Sequence, residues 1–265
     1  MKIINGNKID SVISFGCSFT AGDELMHSTV HPDSDLIKKT QGLPYWKEHY
    51  AHKITTEMKL EEHRLSWAGQ VAEKLELQFT GRAMGGASMM WSLFELERAI
   101  ANNEITPTTL ILFGTTTKER TVYFNKNRPN PKSVLLSYPE YWPDPSWDKK
   151  TFLEIYNDGY LIYNHLMCLH RLIQLSEMLN NRIKVVQVVR TINFKEDIHN
   201  ISKGDLKLME YKYNEIYNHR NFYGHRDLFE FCSIKNKKED MHGGNHPKSY
   251  VHKKFSEYIL ETLEC

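Results

Sequence analysis

Four short segments of the chain place glycine beside hydroxyl, imidazole or carboxylate groups in ways that suit chemistry at a carbonyl centre. The first is Phe15-Gly-Cys-Ser-Phe-Thr-Ala-Gly22, where Gly16 permits a tight exit from a preceding apolar run and Ser18 follows at once. A helix starting there would leave the Ser18 N–H free to stabilise an oxyanion. The second, Gly81-Arg-Ala-Met-Gly-Gly-Ala-Ser88, carries a glycine pair that lets backbone approach a ligand closely, with one N–H to offer the same anion. The third, Gly114-Thr-Thr-Thr-Lys-Glu-Arg120, is a hydroxyl cluster followed by charge. The fourth runs from Asp240 through His246-Pro247 to His252. A loop histidine fixed by a proline at a helix start is a rigid base, and Asp240 could hold its tautomer. Each segment also has a plainer reading. Ser18, Thr20 and the threonines suit turns and helix caps, the glycine pair suits a turn, and Arg120 a solvated surface. Asp240, His242, His246 and His252 could instead hold a divalent metal, although their spacing follows no common zinc pattern.

The elements that would position these groups alternate. Ser11–Phe15, Glu76–Thr80, Thr108–Phe113, Ile183–Val189 and Asp227–Phe231 read as short buried strands. Helical periodicity follows Ser66 (Trp67, Val71, Leu75) and Ser88 (Met89, Leu93, Leu96, Ile100), each serine serving as an N-cap. Further helices are predicted over Phe152–Leu179, Leu208–Tyr217 and the stretch after Pro247. This order predicts an α/β fold with a parallel sheet covered by helices on both faces. Ligands of such sheets bind beyond the carboxyl ends of the strands, where the four segments fall. Two stretches lack a clear period and read as insertions in a single domain spanning 1–265: about 26–63, and 115–150, which holds five of the nine prolines together with Tyr141 and Trp142.

Composition narrows the class. With 265 residues, 34 Lys+Arg against 33 Asp+Glu and 25% charged residues, the chain is neither a broad phosphate binder nor disordered. No apolar run approaches membrane-spanning length, and the segment Met1–Asp10 lacks the apolar core of a secretory leader. Cys17, Cys168, Cys232 and Cys265 show no metal-type spacing, so the expectation is reduced thiols in a cytoplasmic protein. The 13 histidines are the unusual count, and five of them (His27, His31, His49, His52, His63) fall in the first insertion.

Together the four segments resemble the blocks of the SGNH/GDSL hydrolase family, over nearly the whole chain. The resemblance implies a three-layer α/β/α flavodoxin-like sandwich and a serine esterase that needs no cofactor or metal. Gly16-Cys-Ser18 is similar to the first block, with Cys17 at the usual Asp and Ser18 as nucleophile. Gly86 falls at the oxyanion glycine, with Gly81 in place of the common Asn. Gly114-Thr-Thr116 stands where the family has Gly-x-Asn, so Thr116 would supply a hydroxyl in place of an amide. His246 falls at the base, whereas the position three residues earlier, usually Asp, is Gly243; Asp240 lies further upstream. The Phe-Gly-Cys-Ser-Phe-Thr form, with Thr116 four residues before Arg120, is similar to a group from phages and environmental bacteria. The implied reaction is attack by Ser18 on an ester of a carbohydrate or small molecule, assisted by His246 and Asp240. Ser18, Gly86 and Thr116 would hold the oxyanion, and Thr117, Arg120, Tyr141 and Trp142 would contact substrate. Neither nucleic acid nor membrane is an implied partner, and oligomeric state is left open. The alternative is the same fold used as a binding module for a glycan or protein surface.

Overall fold

The computed structural model describes residues 1–23, 25–26, 55–118, 120–123, 132–135, 158–190, 192, 202–232, 240–241 and 246–263. An antiparallel hairpin, β1 (Lys2–Ile4) and β2 (Asn7–Ile9), precedes the main sheet. That sheet contains β3 (Ser11–Phe15), β4 (Gln78–Gly81), β5 (Thr109–Gly114), β8 (Ile183–Val186) and β9 (Phe222–Tyr223), in the order β4-β3-β5-β8-β9. Every pairing in it is parallel. Counted along the chain, this is the 2-1-3-4-5 order of flavodoxin-like sheets, whose switch point lies beside the first strand.

Side-chain alternation divides the core. Val12, Leu110, Leu112 and Val186 face helices α3 (Trp67–Lys74) and α7 (Ser249–Leu263), where Trp67, Val71, Phe255 and Ile259 complete one apolar cluster. Ile13, Phe15, Ile111, Phe113 and Val185 face α4 (Met89–Ala101), α5 (Asp158–Met178) and α6 (Lys203–Tyr217) in a second cluster. A period of two along each strand thus feeds both helical layers. The α/β fold expected from the sequence is the fold observed. Ser66 and Ser88 cap α3 and α4 as expected, accepting from the N–H groups of Gly69 at 3.3 Å and Trp91 at 3.1 Å.

Several boundaries differ. The predicted strand at Asp227–Phe231 is a 3-10 helix, Leu228–Phe231, because Asp227 and Glu230 form a reciprocal capping box. The last strand is instead the two-residue β9, too short to show a period. The first predicted insertion contains α2 (Thr56–Leu65), capped by the Thr55 side chain. The second contains a hairpin, β6 (Arg120–Tyr123) with β7 (Lys132–Leu135). Pro247 is not the first residue of α7: it bridges Met241 in an antiparallel pair, and the helix begins at Ser249. Among the described residues no helix is long and apolar enough to cross a membrane.

Candidate active site

Gly16 turns the chain sharply out of β3 with φ 147, and a Cβ there would collide with Thr20 Oγ1 at 2.5 Å and the Gly114 carbonyl at 2.8 Å. No side chain fits, so the turn needs glycine. It delivers the chain into a single helical turn, α1 (Ser18–Ala21), whose N-cap is the fully buried Cys17. Ser18 is the first residue of that turn, where an N–H has no acceptor within the helix. The residue is 4% exposed, and its buried Oγ has no hydrogen-bond partner among the described residues. A hydroxyl left so costs free energy that a folded chain ordinarily avoids.

Backbone contacts tie the neighbouring segments to this turn. The Met84 N–H donates to the Gly16 carbonyl at 3.0 Å, bringing the glycine-pair loop against the exit of β3. Gly86 has φ 78 and open space where a Cβ would stand, so its backbone is accessible to a ligand. From the third segment, Thr115 Oγ1 accepts from the Val188 N–H at 3.2 Å and joins the ends of β5 and β8. Thr116 is 1% exposed and its Oγ1, like that of Thr117, is buried without a partner. Arg120 Nη1 donates to the Ala87 carbonyl at 3.4 Å, which sets the third segment beside the second. Behind it, Lys118 and His165 help to line a cavity of about 20 Å³. His165 is held neutral, its pKa pushed down to about 4 by burial and then by Lys118.

The C-terminal segment joins through an aromatic contact. Phe19, next to Ser18, lies 5.0 Å from the ring of Phe229, edge to face, and 5.1 Å from the imidazole of His246. Asp240 is buried and its carbonyl accepts from the Lys248 N–H at 2.8 Å; with the Met241–Pro247 bridge, this sets the Asp240–Met241 backbone against the residues that follow His246. His252 is buried beneath, its Nδ1 accepting from the Trp67 N–H at 3.1 Å. Burial, then the nearby His246, pushes its pKa down to about 3. One ring nitrogen of His252 is therefore committed to capping α3. His242, Tyr141 and Trp142 lie outside the described residues.

One part of this end of the sheet was missed in the sequence. Asp23, 1% exposed, pairs with Lys59, which also donates to Glu62 at 2.9 Å. Burial opposes the Lys59 charge, but the two carboxylates outweigh it and raise the pKa. The second Asp23 oxygen would lie 2.5 Å from a Cβ at Gly85, so this cluster braces the glycine-pair loop. His63 packs on Gly81 of the same loop, and burial followed by Lys59 lowers its pKa. Thr55 as a cap and Glu57 in the first turn were the available signals for the helix carrying Lys59, Glu62 and His63.

The architecture is a flavodoxin-like α/β fold, a 2-1-3-4-5 parallel sheet whose first strand ends in a glycine turn and a helical serine. An acetylxylan esterase from Geobacillus stearothermophilus, solved as a catalytic mutant, shares it with a TM-score of 0.50, 9% identity and coverage of 98% of this chain and 96% of that one. The psychrotrophic esterase EstA of a Pseudoalteromonas species aligns over 96% of both chains, at a TM-score of 0.47 and 9% identity. A G-D-S-L family lipolytic protein from Veillonella parvula aligns over 95% of this chain and 96% of its own, at 0.43 and 12%. No family model matches the sequence, and no curated protein matches it either.

Proposed function

We propose that the chain is a serine ester hydrolase in which Ser18 Oγ attacks an ester carbonyl and His246 takes the hydroxyl proton. Oγ forms the new C–O bond, the alkoxide leaves with the proton returned by His246, and water activated by the same imidazole releases the acid. The oxyanion would be held by the N–H groups of Ser18 and Gly86, with Thr116 Oγ1 as a hydroxyl donor. Asp240 would orient His246, and Thr117, Arg120, Tyr141 and Trp142 would contact the substrate. The supporting observation is the placement of an unpartnered, buried serine hydroxyl at the switch point of the sheet, one residue from a ring that packs on His246. The likeness in fold to an acetylxylan esterase supports an O-acylated sugar or small ester as substrate.

A fluorophosphonate probe tests this directly. Labelling of the folded protein is expected at Ser18 and is lost in Ser18→Ala, while His246→Ala slows it by at least about a hundredfold. Folded protein that stays unlabelled would overturn the hydrolase reading. It would favour the alternative of a binding module, for which the absence of a base hydrogen-bonded to Ser18 Oγ is the specific observation.

A further inference from the structure

The amino ends of the strands, opposite the candidate active site, hold a second polar site. Lys184 is the second residue of β8, and its alternate neighbours Ile183 and Val185 point into the α4–α5–α6 core. Lys184 therefore projects to the other face, where Val186 packs beneath α7. It is only 2% exposed. Its Nζ donates to Asn221 Oδ1 at 2.7 Å, and Asn221 in turn donates to Asn181 Oδ1 at 2.8 Å. The Tyr223 ring lies 5.9 Å from Nζ. Among the described residues no carboxylate is within ion-pair distance of it, and the charge it does feel, that of Arg220, has the same sign.

A buried ammonium with one hydrogen bond leaves two donors unused, and a charge without a counter-ion is costly in the interior. Folded chains rarely keep such a group without a use for it. Here the group faces a cavity of about 450 Å³, lined also by Arg220, His219, Asn5, Asn218 and Asn221. His219 Nδ1 is taken by the Asn221 N–H at 3.2 Å, and its Nε2 faces Glu177 at 3.4 Å, so that imidazole braces the wall. Two cations from different elements, with amide side chains between them, make a donor set for an anion carrying more than one charge.

We propose that this cavity binds a tetrahedral oxyanion, free phosphate or a phosphate monoester, on Lys184 and Arg220. Burial and Arg220 push the Lys184 pKa down to about 8, as expected of an ammonium waiting for its counter-ion.

The full-length protein, titrated calorimetrically with inorganic phosphate and with phenyl phosphate at constant ionic strength, tests the proposal. Sodium acetate and sodium chloride serve as comparison salts. Saturable phosphate binding is expected, weakened about tenfold or more by Lys184→Met and several-fold by Arg220→Gln. Lys184→Met removes a buried unpaired charge and is expected to fold. Arg220 is exposed and makes no hydrogen bond whose loss would unfold the chain. Binding of phenyl phosphate alongside phosphate identifies a monoester site; binding of inorganic phosphate alone identifies a site for the free ion. The proposal fails if phosphate has no effect beyond chloride, if acetate binds as well as phosphate, or if both variants bind as the parent does. None of these readouts depends on ester hydrolysis.

Discussion

His252 caps a helix to which it does not belong. Its Nδ1 takes the first N–H of α3, so the imidazole must be neutral, and burial enforces that state. Its folded pKa of about 3 lies below the ordinary value, as does that of His165 at about 4. The unfolded chain therefore binds protons first as pH falls. Stability from these groups is complete above about pH 6.5 and is lost below it, at up to about 1.4 kcal/mol per pH unit for each. Urea unfolding at pH 7 and pH 5 is expected to show a lower midpoint at pH 5. His252→Gln, whose amide oxygen can still accept from Trp67, should flatten that dependence; parallel slopes would dismiss the assignment. The turn that carries Ser18 and the helix that starts after His246 were legible in the sequence because glycine and proline punctuate them. Asp23 was not, because its partner lies on a helix whose surface pattern is mostly polar, with only Glu62 fully buried.

At the scale of elements, the short helices at the carboxyl end of the sheet are held by polar side chains more than by apolar area. Asp23 and Glu62 share the single ammonium of Lys59, while Gly85 and Gly81 accept Asp23 and His63 against their backbone. Lys59→Met would remove the cation that pairs with buried Asp23 and Glu62 and is expected to cost about 3 kcal/mol or more. Thermal unfolding checks this, and a change under about 1 kcal/mol would count against the brace. The sequence read this end unevenly. Central β5, buried at every position, was plain from its apolar run. The short apolar run within Asp227–Phe231 suggested a strand, although its Asp-x-x-Glu start carried the opposing signal of a capping box. Local hydrogen bonding prevailed over periodicity there.

Across the molecule, the two apolar clusters lie on opposite faces of the sheet, and α7 packs into one of them. Phe255 is fully buried, edge to face with Trp67 at 5.6 Å and with Phe231 at 5.5 Å. Phe255→Ala is expected to cost about 3–5 kcal/mol in urea unfolding, since the cavity lies between two layers that cannot collapse onto it. A loss below about 1.5 kcal/mol would mean that α7 repacks. The layer architecture was legible because strand and helix patterns alternate along the chain. Which strand lies beside which was not, since neighbours such as β3 and β5 are distant in sequence.

That chain order governs how the protein is made. Ser18 emerges from the ribosome well before His246, on the order of ten to forty seconds earlier at typical elongation rates. During that interval β3 can pair with β4 and β5, but the face that α7 will cover stays open to water and to other nascent chains. The closing helix and the candidate base arrive together. Any hydrolytic competence would therefore appear only once His246 and α7 have emerged, and the period in which that face stays open would end in the same step.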